Sequence, residues 1–216
     1  MEKPTRRRLL AAGFSGTALG LLGSRAASAS PDPTTPPDDD EAETSPESAS
    51  VTTTTEPPQR PTAEDVPLLQ FAESFELAAR DLYQAAIDAG AEEETLAAMR
   101  GNHQAAASIL KGMLGTQGAQ QRSDAVFDRY EQDFSTNIIP ELAAAAYELE
   151  STAVATHTEL IRELTGIDGA HMIASILVVE ARQAVIMADL SGRGDDFDAL
   201  FENDAQPLSA GTTSGG

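Results

Sequence analysis

The sequence contains no cysteine and no tryptophan, and it has few aromatic residues and few positive charges. The absence of cysteine excludes disulfides, thiolate metal sites and cysteine nucleophiles. Lysine and arginine number 14 against 35 acidic residues, which gives a formal charge of −21. The electrostatic field of so acidic a chain repels nucleic acid and attracts cations or basic partners. High acidity also favours solubility. With aromatic residues at only 5%, we predict no nucleic-acid binding.

The first 29 residues have the three-part layout of a secretory signal: a basic start, an apolar stretch over residues 9–23, and a small-residue end, Ala-Ser-Ala. The apolar stretch is 15 residues long, shorter than the roughly 20 needed to span a bilayer. Arg6 and Arg7 stand in the stretch TRRRLL, which is similar to a twin-arginine export motif. We therefore predict export of the folded chain across the cytoplasmic membrane, to the periplasm, the cell surface or the medium. An ordinary secretory signal is the alternative.

Composition divides the rest of the chain into three parts. Residues 30–63 hold eight of the twelve prolines and no aromatic residue, which predicts a disordered Ser/Thr/Pro and acidic stalk. Residues 64–192 carry the apolar periodicity and form the predicted folded domain, with no transmembrane helix in the mature chain. Residues 193–216 are acidic and then rich in glycine, serine and threonine, and the part from residue 203 has few core-forming residues.

Apolar residues in the predicted domain recur at helical spacing, with almost no strand-like alternation. The pattern predicts four long helices: from near Asp65, the plausible N-cap, to Gly90; from residue 92 to 114; from Pro140 to about 165; and from after Asp168 to about 190. A long connection, residues 115–139, contains a short amphipathic piece. The chain is therefore predicted to be an all-α antiparallel four-helix bundle with one long crossover between the second and third long helices.

On each predicted helix the apolar residues form a stripe along the side that faces the core. A glutamate or a histidine interrupts each of these stripes. The interrupting residues are Glu76, His103, Glu150, His157 and Glu180, and the third helix supplies two of them at i and i+7. A two-metal site in a bundle needs inward-pointing carboxylates and neutral imidazoles. Because a buried charge without a partner is very costly, Glu180 is predicted to share a polar core with the others.

Four stretches resemble the exported branch of the ferritin-like domain proteins: LLQFAESFELAARDLYQAAI, RGNHQAAASIL, AYELESTAVATHTELI and ASILVVEARQAVIMADL. The resemblance covers roughly residues 64–192 and implies a ferritin-like four-helix bundle that binds a di-iron or similar metal pair in complete members. Such a site has a lone Glu on the first and third helices and a Glu-x-x-His pair on the second and fourth. Glu76 and Glu150 match the lone positions.

The two pairs depart from that pattern. Arg100 stands three residues before His103 where the family has Glu, and Gln183 stands three residues after Glu180 where it has His. An arginine facing the carboxylates would neutralise charge that metal ions otherwise balance. Gln183 would hydrogen-bond a carboxylate but ligate metal poorly, whereas His157 is a substitute ligand.

Three hypotheses follow for this core. The leading one is a metal-free pseudo-site held by Arg100–carboxylate pairs, in a non-catalytic structural or interaction module whose cell-envelope partner is unspecified. The alternative is a site for iron or manganese, mononuclear or dinuclear, with oxidase, iron-handling or peroxide-protective activity. The third is a set of partly wet helix-face groups with no collective role. No catalytic residue and no certain cofactor is assigned, and residues 126–134 are the apolar face predicted for any homodimer.

Overall fold

The structure is a computed structural model that describes residues 60–210. The signal and stalk predictions, including Arg6 and Arg7, fall almost wholly outside these residues. Within them the chain forms six α-helices, one short 3-10 turn (Gly115–Gln117) and no strand. The helices are α1 (Asp65–Asp88), α2 (Glu94–Leu114), α3 (Asp124–Phe134), α4 (Ile139–Glu163), α5 (Ile167–Leu190) and α6 (Phe197–Phe201).

The four long helices form two hairpins: α1 packs along α2, and α4 packs along α5. Short loops join the members of each hairpin, whereas the segment between α2 and α4 is long and carries α3. Gly90, at φ +88°, follows the end of α1, and Pro140 lies in the first turn of α4, where its missing N–H leaves no bond unmade. The predicted all-α bundle with one long crossover is confirmed. No helix within residues 60–210 is both long and apolar enough to cross a membrane.

The apolar core of the bundle is divided into two clusters. One includes Phe75, Leu82, Leu149 and Met187, and the other includes Leu69, Leu110, Leu160 and Ile173. Along their helices, His103, His157 and Glu180 lie between residues of one cluster and residues of the other, and Glu76 and Glu150 directly follow residues of the first cluster. The bundle therefore encloses a polar layer between two apolar clusters, and this layer is called the central layer below.

The amphipathic piece of the crossover became α3, and its apolar side faces inward. Val126, Phe127, Tyr130 and Phe134 are all buried, and α3 packs against α1 and α4. The prediction that residues 126–134 present a leftover apolar face for a homodimer is therefore wrong, because the bundle itself covers that face. The large apolar side chains that stay exposed on the long helices include Ile109, Val178, Val179 and Val185 of α2 and α5.

Asp65 is not the N-cap of α1 but the first residue of the helix, and its side chain reaches the α4–α5 loop. The buried carboxylate accepts the N–H of Thr165 at 2.9 Å, the N–H of Gly166 at 2.8 Å and the Thr165 hydroxyl at 3.0 Å. Burial alone would raise the pKa of Asp65, but these hydrogen bonds outweigh it and hold the pKa below its usual range. Asp65 thus ties the two hairpins together at one end of the bundle.

The segment after α6 runs along the outside of α4. The Asn203 side-chain amide donates to the Ser151 carbonyl at 2.9 Å, and the Leu208 N–H donates to the Thr156 hydroxyl at 3.0 Å. Leu208 packs against both apolar clusters. This part of the tail, predicted to have few core-forming residues, therefore covers the face of α4 opposite the central layer.

Candidate metal centre

The central layer receives side chains from all four long helices. Glu76, His103, Glu150, His157 and Glu180 are each at most 1% exposed. Residues seven apart lie two turns along one helix face, and α1 runs antiparallel to α4. Consequently Glu76 of α1 lies beside His157 of α4, while Tyr83 of α1 lies beside Glu150 of α4. The hypothesis that these are partly wet helix-face groups is wrong, because none of them reaches water.

One half of the layer is a fully hydrogen-bonded network around Glu150. Tyr83 donates its hydroxyl to Glu150 Oε1 at 2.5 Å, and Gln183 donates its amide to Glu150 Oε2 at 3.0 Å. Asn102 in turn donates to Gln183 Oε1 at 2.8 Å, which fixes the orientation of that amide. The predicted role of Gln183 as a hydrogen-bond donor to a carboxylate matches this geometry. Glu150 therefore has both oxygens occupied by protein donors.

His103 bridges the two halves of the layer. Its Nδ1 is 2.8 Å from Glu76 Oε2, and its Nε2 is 3.1 Å from Glu150 Oε1. Burial alone would lower the pKa of His103, but the carboxylates of Glu150 and Glu76 outweigh burial and raise the pKa well above its usual range. Ionised carboxylates only accept hydrogen bonds, so both ring nitrogens carry protons. His103 is thus an imidazolium that serves as a cation inside the core.

The other half of the layer is incompletely satisfied and is called the orphan triad: Glu76, His157 and Glu180. His157 Nδ1 lies 2.6 Å from Glu180 Oε2, but its Nε2 is 3.6 Å from Glu76 Oε1. With both carboxyl groups ionised, Glu76 Oε1, His157 Nε2 and Glu180 Oε1 have no hydrogen-bond partner. One ligand atom from each of the three residues lies within 4.8 Å of the others. Buried polar atoms without partners are rare and costly, so this convergence calls for a ligand.

The electrostatics of the triad favour a bound cation. Burial and the neighbouring carboxylate of Glu76 raise the pKa of Glu180 well above its usual range. Burial also lowers the pKa of His157, which keeps the imidazole neutral and able to ligate. Without a cation Glu180 therefore holds a proton, which it can donate to Glu76. Two carboxylates and a neutral imidazole suit iron, manganese or zinc, and these residues fit a single ion.

Arg100 does not enter the layer, although it lies only three residues before His103. Its guanidinium donates to the side chain of Gln84 and borders a surface groove with Arg80, Asp81 and Gln104. The prediction that Arg100 pairs with the core carboxylates is wrong. A guanidinium loses much solvation when it is buried, and its long flexible stem lets it turn to water instead. Among residues 60–210 no lysine or arginine is buried, so His103 is the cation that balances the three glutamates.

Tyr83 and Asn102 belong to the centre but were not predicted for it. The Tyr83 ring stacks on His103 with centroids 5.5 Å apart, while its hydroxyl donates to Glu150. A sequence signal existed for Tyr83, because it lies seven residues after Glu76 on the same helix face. Asn102 gave no such signal, since it contacts the network from the exposed side of α2. His171, the remaining histidine, lies outside the layer and is exposed.

A four-helix bundle with one long crossover and a carboxylate–histidine layer at its centre defines the ferritin-like class of proteins. A family model described as a ferritin-like domain matches residues 64–193, which is more than half of the chain. The chain therefore belongs to the ferritin-like domain family. Comparison with curated proteins and with solved structures gives no match.

Proposed function

We propose that this protein is an exported ferritin-like protein that binds a single divalent transition-metal ion, iron or manganese, between Glu76, His157 and Glu180. The observation that carries the proposal is the orphan triad: with both carboxyl groups ionised, each of the three buried residues has one atom without a partner, and one ligand atom from each lies within 4.8 Å of the others. The competing hypothesis, a metal-free pseudo-site, depended on Arg100 as the neutralising cation. Because Arg100 bonds Gln84 at the surface, that hypothesis loses its main support.

The charge of the layer supports one ion rather than two. Three glutamates face one imidazolium, so ionisation of all three would leave an excess of negative charge that a divalent ion balances. His103 already directs both ring nitrogens at carboxylates, and Glu150 is occupied by Tyr83 and Gln183. The ligands that a second ion would need are therefore engaged. We accordingly propose a mononuclear site, in which the His103 imidazolium takes the place of the second metal ion of a two-metal site.

When bound, iron or manganese would supply redox chemistry, and three protein ligands leave coordination positions for other molecules. Other residues of the central layer hold protons close to the place where the ion would bind. Tyr83 keeps its proton because burial and then the Glu150 carboxylate raise its pKa well above the usual range. These features support the oxidase, iron-handling or peroxide-protective functions over a purely structural one.

The metal content of the protein tests this proposal. We expect a single iron or manganese ion per chain when the full chain is exported through its own signal and purified without chelator, as measured by mass spectrometry of the metals. The Glu180→Gln variant should lose most of that metal, because an amide is a poor ligand. Glu148→Gln, at an exposed position on α4, is the matched control and should bind like the wild type. Two ions per chain, no ion, or unchanged binding by Glu180→Gln would each contradict the proposal.

Export by the twin-arginine route rests on the sequence of residues 1–29. We expect that changing Arg6 and Arg7 together to lysine leaves the protein in the cytoplasm, because the motif is read through its paired arginines. The Arg25→Lys variant makes the same charge-conserving replacement outside the motif and should still be exported. Fractionation and immunoblotting give the readout. Normal export of the double variant would point to an ordinary secretory signal.

A further inference from the structure

A cleft between α2 and α5 leads from the surface to the central layer. These two helices contact each other much less than the two members of either hairpin do. The opening between them is a cavity of 260 Å³. Its walls are apolar and consist of Ala105, Ala106 and Ile109 from α2 and Met172, Ile176 and Val179 from α5.

The inner end of this cleft is polar and belongs to the orphan triad. Glu76, Glu180 and His103 form the floor, and each of the two glutamates has one oxygen that no donor from the rest of the chain reaches. The outer rim, in contrast, is apolar and open: Ile109 is 48% exposed and Val179 is 38% exposed. The cleft thus combines an apolar wall with hydrogen-bond acceptors at its floor, which is the usual make-up of a small-molecule site.

The dimensions limit the ligand. Asn102 and Ile109 both line the cleft, and seven residues of helix span about 10 Å. The volume lies between that of a cavity that holds benzene, about 150 Å³, and the lower end for drug-sized ligands, about 300 Å³. Small side chains at Ala105 and Ala106 keep the slot open between the two helices. An elongated molecule with few atoms therefore fits better than a branched or bulky one.

We propose that this cleft binds a small, elongated, uncharged organic molecule whose body is apolar and whose inner end carries a hydrogen-bond donor such as a primary hydroxyl. The apolar walls account for the body of the ligand, and the acceptor oxygens of Glu76 and Glu180 account for the donor. An anionic end would lose its hydration without gaining a hydrogen-bond donor, because both ring nitrogens of His103 are already directed at Glu76 and Glu150. A strongly hydrated cation would lose its water along an apolar wall. The cleft shares Glu76 and Glu180 with the proposed metal site, but the ligand needs no metal to bind, so the two proposals can be tested independently.

The experiment compares 1-octanol with octanoate by calorimetric titration of the metal-free full-length chain at neutral pH. We expect 1-octanol to bind with one-to-one stoichiometry, and octanoate to bind about tenfold more weakly or worse, since about 1.4 kcal/mol of lost carboxylate solvation suffices for that ratio. Ala105→Leu should weaken the binding of 1-octanol about tenfold, the effect of excluding roughly two methylene groups from apolar contact. Ala98→Leu makes the same change at an exposed position of α2 outside the cleft and should leave binding unchanged.

Ala105 is exposed, so its replacement should leave the fold intact, and far-UV circular dichroism checks this. Ile109→Ser provides a second variant that removes wall area instead of filling the cleft, and it should also weaken binding. The inference would be overturned if 1-octanol did not bind, if Ala105→Leu bound 1-octanol as tightly as the wild type, or if octanoate bound as tightly as 1-octanol. Metal uptake without alcohol binding would reject the ligand cleft alone, whereas alcohol binding without metal uptake would reject the metal site alone.

Discussion

Replacing His103 with alanine is expected to lower the unfolding free energy of the metal-free protein by about 3–5 kcal/mol, the usual cost of removing one partner from a buried ion pair. The ring lies between Glu76 at 2.8 Å and Glu150 at 3.1 Å, and all three residues are fully enclosed. Without the imidazolium, two carboxylates would remain buried with no cation among residues 60–210 to balance them. Because small domains are stable by only about 5–15 kcal/mol, the variant should be close to unfolding.

Chemical denaturation monitored by circular dichroism, in the presence of chelator, measures this effect. His171→Ala is the matched control, since it removes the same side chain from an exposed position at the start of α5. A surface substitution of that kind should change the unfolding free energy by no more than about 0.5 kcal/mol. If both variants cost the same, the role of His103 as the internal cation would be disproved.

The sequence predicted the bundle well because the apolar periodicity of the long helices is regular. The same phase argument placed Glu76, His103, Glu150, His157 and Glu180 toward the core, and all five are buried there. A glutamate or histidine inside an apolar stripe has few directions in which to point, so helical phase decides its position. These five residues of the layer were thus predictable, as was the crossover between the two hairpins.

Side chains with more freedom, or covered by irregular segments, were not predictable in this way. Arg100 has a long stem that reaches either the layer or the surface, and the cost of burying a guanidinium decides the outcome. Glu73 lies outside the apolar arc of α1, yet it is buried because the Ala119 N–H of the crossover donates to it at 2.7 Å. The crossover there has no periodicity from which its path could be read. Helical phase therefore does not predict burial at positions that a loop covers.

The metal-free protein is expected to lose stability as the pH rises above about 6.5. The carboxylates of Glu150 and Glu76 outweigh burial and raise the pKa of His103, while burial itself and Glu76 raise that of Glu180. In this range the folded chain therefore keeps protons that the unfolded chain releases, and its unfolding free energy falls with increasing pH. His157 has the opposite effect on the unfolding free energy, because burial lowers its pKa. Its contribution is complete by about pH 6.5, where the unfolded imidazole loses its proton, so it does not offset the fall.

A bound ion should oppose this trend. Ligation by Glu180 requires the carboxylate, so metal binding releases the proton of Glu180 and becomes more favourable as the pH rises. The increase in melting temperature on adding manganese should therefore be larger at pH 8.5 than at pH 6.5, while the metal-free protein loses up to about 1.4 kcal/mol per pH unit for each retained proton. Thermal unfolding with chelator and with manganese measures both effects. Glu180→Gln should make the metal-free dependence less steep, with the His103 contribution left, and should abolish the manganese effect, whereas Glu148→Gln should preserve both. A manganese effect that does not depend on pH would show that Glu180 holds no proton in the metal-free protein.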